Sequence, residues 1–242
     1  MAYHRKTRRG HRSKRKTPKR LSQHMVRAIK AISQGEVETK RYMVSTDIST
    51  ALTAAGYVSG NNAVIRRNFL SDLPRESNTA VNSDASFIGD QINLRGLRWS
   101  FHGSILPTVN PDAMYRFTVY RDSFYFAGTN GPGPGDRIFE QQQSTIPTWS
   151  MWNTQVTDIV FQRKFRMRVS SIGSEVLDKK FYIPLRRKIT SNSDESLTIN
   201  TTMGAIKGQQ LYWVLEIYAQ GQTNLMTGIA GTIDTVVYFK DA

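Results

Sequence analysis

The 242-residue chain predicts an all-β fold, a single eight-stranded jelly roll of two packed antiparallel sheets preceded by a disordered basic N-terminal arm. Three observations carry that expectation. About eight segments of strand length either alternate apolar and polar residues or are apolar almost throughout, with long turn-rich stretches between them. Long helical patterns are absent. The charge is partitioned: through Arg41 there are fourteen basic and two acidic residues, whereas the remainder has nineteen basic against seventeen acidic. The first part cannot bury such a surplus in a core, and the second has the balance of an ordinary globular domain. With this strand count, two Greek keys forming a jelly roll is a common way to protect sheet edges. The expected division is an arm over residues 1–41 and a β domain over residues 42–242.

The arm gathers ten cations within sixteen positions: Arg5, Lys6, Arg8, Arg9, Arg12, Lys14, Arg15, Lys16, Lys19 and Arg20. No acidic or apolar residue interrupts them, so the run repels itself and needs a polyanion. Lacking anything to insert into a bilayer, it points to nucleic acid. A nuclear-import address is compatible with the same residues. There is no cysteine, which excludes disulfides and thiolate metal sites. No stretch approaches the roughly 18 continuous apolar residues of a membrane span, and no apolar segment follows the basic start as a secretory signal requires. A soluble intracellular product is expected.

After the basic run, Leu21, Met25, Ala28, Ile29 and Ile32 recur at helical spacing between Ser22, a possible N-cap, and Gly35. The stretch reads either as a short amphipathic helix or as a continuation of the arm. Tyr42, Val44, Ile48 and Leu52 mark an extended segment, and Leu70 to Ser86, rich in Ser, Asn and Asp, reads as a long surface loop. From Asp90 to Ile105 runs a strand with a defect. Ile92 and Leu94 share one parity and Leu97, Trp99 and Phe101 the other, so a β-bulge or bend is expected at Gly96. Met114 to Arg121 predicts a strand with one buried face, carrying Tyr115, Phe117 and Val119.

The Gly- and Pro-rich loop from Gly128 to Asp136 lacks the Gly-Lys-Ser/Thr ending of a phosphate cradle and reads as an irregular exposed loop. Trp149 and Trp152 read as anchors, on the core or on a neighbouring subunit, rather than as base-stacking platforms. In Phe161 to Val169, Gln162, Lys164, Arg166 and Arg168 form a basic face, either solvated or bordering the arm's polyanion; Lys164, Arg166 and Arg168 are thus a candidate interior basic face. Pro184 costs its strand a ladder hydrogen bond and places it at an edge or a bulge, with Arg186, Arg187 and Lys188 following. Leu211 to Ala219 is apolar on both parities and should be covered on both faces, by core and, as one option, by a partner chain. Ile233 to Lys240 reads as another two-sided apolar strand, stitching the C-terminus into the sheet.

Catalytic chemistry has little to work with. His102 is the one histidine beyond the arm and its extension, and no His-Glu-x-x-His or Gly-x-Ser-x-Gly pattern surrounds it, so it reads as structural and no enzyme is expected. Asp112, Asp122, Asp136, Glu140 and Asp234 lie near turns or strand ends and read as turn formers rather than calcium ligands. No catalytic residue, metal or cofactor is assigned.

The order of short motifs resembles a known group. A basic arm precedes the Gly-interrupted strand Ile92-Asn-Leu-Arg-Gly-Leu-Arg-Trp-Ser-Phe-His-Gly103. Then come Tyr115-Arg-Phe-Thr-Val-Tyr-Arg-Asp122, the Gly/Pro loop with Gly135-Asp-Arg-Ile-Phe139, and the closing Tyr238-Phe-Lys-Asp241. This arrangement resembles capsid proteins of small circular single-stranded DNA viruses, the circovirus-like CRESS-DNA group, and is similar in plan to satellite and other small RNA-virus capsids. The resemblance implies a jelly-roll subunit that self-assembles into an icosahedral T=1 shell in the virion, assembled in the host nucleus with an import receptor as a possible partner. It also implies an arm facing inward on packaged viral DNA. For about 60 copies, the arms bring on the order of 700 positive charges against phosphate, without reading base sequence. The alternatives are a cellular monomeric nucleic-acid-binding protein with a basic tail, and a jelly-roll enzyme or sugar-binding domain.

Overall fold

A computed structural model describes residues 25, 38–54, 57–59, 62–76, 85–105, 112–126, 129–130, 136–141, 151–168, 176–192, 202–219 and 229–242. Two units divide the chain, 1–37 and 38–242; in the first only Met25 is described, helical and exposed. Among the described residues of the second unit, the regular structure is β except for one short helix. Its elements are β1 (Lys40–Asp47), α1 (Ile48–Ala54), β2 (Tyr57–Ser59), β3 (Asn62–Asn68), β4 (Gln91–Ile105), β5 (Asp112–Asp122), β6 (Thr129–Asn130), β7 (Phe139–Gln141), β8 (Met151–Trp152), β9 (Thr157–Arg168), β10 (Val176–Thr190), β11 (Gln210–Ala219) and β12 (Ile229–Asp241). Lys40 and Arg41 are the first two residues of β1.

Ten of these strands build the sandwich, eight long and two short. One sheet runs β1-β12-β4-β10 and the other β2-β3-β11-β5-β9, with β6 added beside β3. Among the eight longer strands the first pairs with the last, the second with the seventh, the third with the sixth and the fourth with the fifth, all antiparallel. That nesting is what one long antiparallel hairpin produces when wrapped around a two-layer core, and it defines the expected jelly roll.

The core between the sheets is aromatic. Trp99 stacks on Phe117 with ring centroids 4.1 Å apart, and Phe181 lies 5.8 Å from each of them. Trp99, Phe101, Phe117 and Trp213 are fully buried. Offset stacking of this kind adds about 0.5–1.5 kcal/mol per pair beyond the burial itself.

The parity switch in β4 is realised as a bulge. Along β12, Tyr238 pairs with Gly96 and Phe239 with Leu94, leaving Arg95 as an extra residue on β4. On the other side β10 slips between Pro184 and Arg187, where Arg186 takes a positive φ of 39°. Pro184 therefore sits on an edge strand and at a bulge together, where its missing N–H costs nothing.

Several expectations are corrected. The extended segment ends at Asp47: Ile48 opens α1, because the Asp47 carboxylate accepts from the Thr50 amide at 2.9 Å and the Ser49 hydroxyl at 2.6 Å and caps the helix. These hydrogen bonds, that from Ser49 foremost, hold the Asp47 carboxyl below its ordinary value of 3.8. Its stabilisation is thus present above that value and fades as pH falls through the lowered one. Asp47→Ala should cost about 1 kcal/mol at neutral pH, the gap to the parent closing in melts as pH falls below the ordinary carboxylate value.

The loop from Leu70 to Ser86 is not all surface, since Leu70, Ser71, Leu73 and Ser86 are buried. Strand β5 is buried on both faces rather than one. Conversely, β12 is one-sided: Ile233, Thr235, Val237 and Phe239 are buried, whereas Asp234, Val236, Tyr238 and Lys240 are partly exposed. Strand β11 is covered on both faces as expected, but by its own chain. Leu211, Trp213, Leu215 and Ile217 face the main core, while Tyr212 and Val214 lie under a second cluster with Ile138, Phe139 and Trp152 from the β7–β8 ribbon. Trp152 is accordingly an anchor, 5.1 Å from both Tyr120 and Phe139.

Candidate nucleic-acid interface

The ten arm cations, Arg5 through Arg20, lie outside the described residues. The second predicted cluster is on β9, the edge strand of the larger sheet, where Lys164 pairs with Arg116 and Arg166 with Met114. Lys164 and Arg166 are exposed on the sheet's outer face; the Arg168 side chain lies outside the described set. Arg163, on the opposite parity, is also exposed, its guanidinium 5.5 Å from the Phe161 ring centre.

Beside Lys164, the same outer face dives under the β7–β8 ribbon into a buried polar layer. Arg116 and Glu216 are direct cross-strand partners and form a hydrogen-bonded ion pair with both side chains buried. Burial lowers the Arg116 guanidinium pKa and the Glu216 charge opposes that shift. Arg66, equally buried, reaches Asp136 at 3.2 Å and lies 3.8 Å from the Phe126 ring centre. The Tyr212 hydroxyl accepts from the Phe126 amide and donates to the Phe124 carbonyl, both at 2.7 Å, and burial pushes its pKa up to about 12. Asp122 accepts from the Phe124 amide and Asp136 from the Ile138 amide, so these two acids form turns and hold cations of their own chain. The layer pins loops to the sheet.

The opposite side of the sandwich, the outer face of the four-stranded sheet, carries the cations that follow Pro184. Register sorts its side chains into rows. One row holds Lys240, Asn93 and Lys188; beyond the bulge the next holds Arg41, Tyr238, Gly96 and Pro184, and the next Met43, Val236, Arg98 and Tyr182. Arg41, Arg98, Arg186 and Lys188 are exposed, as is Tyr182 at 58%.

The two tyrosines meet edge to face, 6.0 Å between centroids, above the bare backbone of Gly96. A Cβ there would stand 2.6 Å from the Tyr182 hydroxyl and 2.8 Å from the Ile183 carbonyl, so glycine is what lets the ring lie down. This is a cross-strand aromatic covering a strand glycine.

Carboxylates follow on the other side of the tyrosine pair, Asp234 one row beyond Tyr182 and Asp178 two. His102 stands between Asp178, 3.4 Å from Nδ1, and Asp234, 3.7 Å from Nε2, and Lys180 bonds Asp178 at 2.8 Å. The Asp178 carboxyl is held low chiefly by that Lys180 hydrogen bond. Sequence reading found no carboxylates near His102, because they arrive from β10 and β12, far along the chain. The group has no nucleophile and reads as a surface charge cluster. Among the described residues no set of three acidic or histidine side chains is arranged to hold a metal ion, and no helix is long and apolar enough to cross a membrane.

Neither a family model nor a curated protein sequence matches this chain. A solved structure from Desmodium yellow mottle tymovirus is similar over 85% of this chain and 88% of that one, with a TM-score of 0.35 and 9% identity. At that distance the functional argument rests on the residues themselves.

Proposed function

We propose that this chain is a viral capsid protein that self-assembles into a small icosahedral shell and packages its genome through the arm by neutralising phosphate. One observation carries the reading: a cationic surplus concentrated before residue 42 and attached to a nearly neutral jelly roll. An arm of that charge without a base-reading element suits binding that is strong, salt-dependent and indifferent to sequence. The order of the motifs supports a circular single-stranded DNA genome, with the basic run serving as the nuclear-import address. Two of those motifs are structural in this fold: the Gly-interrupted segment is β4 with its bulge, and Tyr115–Asp122 is the doubly buried β5. The role is structural rather than enzymatic.

The test is negative-stain imaging of purified protein, with size exclusion in moderate salt and a nuclease challenge of what co-purifies. Closed particles holding protected nucleic acid are the expected result. A monomer at high concentration, free of nucleotides, would overturn the proposal in favour of a tailed cellular binding protein or another soluble jelly roll.

A further inference from the structure

The four-stranded sheet presents an aromatic pair with cations in its own rows and on one side of it, and on the other side carboxylates that face His102 and Lys180. Arg98 shares the row of Tyr182, Arg41 shares that of Tyr238, and Lys188 and Lys240 lie one row beyond Tyr238; on the other side Asp234 is one row beyond Tyr182 and Asp178 two, both facing His102 and Asp178 also bonded to Lys180. A sheet face with one exposed ring, a second part-exposed ring and cations beside them suits a single strand: bases stack on the rings, and the sugar-phosphate chain runs over the cations. A duplex has no free base faces to offer. The larger sheet differs, since its outer face is roofed in part by the β7–β8 ribbon and its buried cations are paired within the chain.

We infer that the outer face of the four-stranded sheet is a second, stacking site for single-stranded nucleic acid, centred on Tyr182 and Tyr238. It rests on the packaging reading and deepens it: the arm supplies charge, and this face supplies preference for unpaired strands. It also moves the body's nucleic-acid contact from the β9 row of Lys164, Arg166 and Arg168 to the other layer of the sandwich.

The probe is a 20-nucleotide oligo(dT), with a duplex of equal length as control, bound by full-length protein stripped of nucleic acid in high salt. A Tyr182→Leu, Tyr238→Leu variant should bind the single strand about 5- to 50-fold more weakly and the duplex less than about twofold more weakly. Because those rings cover Gly96, a second variant, Arg98→Gln with Lys188→Gln, keeps the test independent of packing. It should flatten the slope of log affinity against log salt by about 1.4, at roughly 0.7 per lost phosphate contact. Photo-cross-links from 5-iododeoxyuridine should map to Tyr182 or Tyr238. Unchanged single-strand affinity in both variants, or cross-links confined to β9, would overturn the inference while leaving packaging by the arm intact. The inference also falls if the tyrosine variant stops assembling but binds oligo(dT) normally, since the face would then join copies. A wild-type chain that binds no nucleic acid would sink both readings.

Discussion

Removing residues 2–20 should leave the β unit folded and reduce affinity for single-stranded nucleic acid at near-physiological salt by at least about a thousandfold. The folding half follows from composition: a run of ten cations in sixteen positions without an apolar residue has nothing to add to a core, whose described members from Ile48 to Phe239 the deletion leaves in place. The melting temperature should therefore move by no more than a few degrees. The binding half follows from counterion release. Ten cations, each contributing about 0.7 to the salt slope on single strands, give a slope near −7 in addition to whatever the body provides. Deletion should leave only the shallow slope of the body, near −3 for the four cations around the tyrosine pair.

Because arginine does not lose its proton and lysine rarely does at neutral pH, the wild-type slope should hardly change between about pH 6 and pH 8. Titrations at four salt concentrations measure all three quantities. Retained packaging after deletion, or an unfolded product, would remove the division of labour on which the proposed function rests.

What could be read before folding was whatever a strand states about itself. Parity in β4 located the bulge at Gly96, and Pro184 announced an edge or a bulge and occupies both. The two-sided apolarity of β11 declared burial on both faces. What could not be read was whatever depends on a partner strand. Period-two patterning says which face a residue is on but not what lies opposite, so His102 gave no hint of Asp178 and Asp234. In the same way Tyr238 gave no hint that it would meet Tyr182 above Gly96.

The misassigned faces have a common cause. The roof over the larger sheet comes from the short β7–β8 ribbon, too short to show a period, so β5 looked half exposed. In β12 the aliphatic and aromatic residues of the outer parity, Val236 and Tyr238, mimic a buried row. The candidate site divides likewise: the arm is a matter of composition and was legible, whereas the tyrosine pair is a matter of register.

Register is also what the buried pair Arg116–Glu216 protects. Glu216→Ala should destabilise the protein by about 3–5 kcal/mol, because it strands a guanidinium that is 5% exposed beneath Trp152 with its counter-charge gone. For a β unit of about 200 residues that is a fall in melting temperature on the order of 10 °C. Arg116→Met combined with Glu216→Leu should recover most of the loss, since two apolar side chains of similar volume need no compensating charge. If the pair mattered only for stability, the double variant would be equivalent to the parent. Its position argues for more, since Arg116 and Glu216 are direct partners on the two strands that hold the centre of the larger sheet. A one-residue slip of β11 would turn Glu216 toward Trp213 and Phe117 in the main core, where no cation waits for it. The double variant should therefore melt near the parent temperature yet refold with a larger misfolded or aggregated fraction, measured by light scattering after dilution from denaturant. Parent-like refolding would show that the hydrophobic pattern of β11 sets the register unaided, and a single variant as stable as the parent would mean that the guanidinium finds water when its partner is removed.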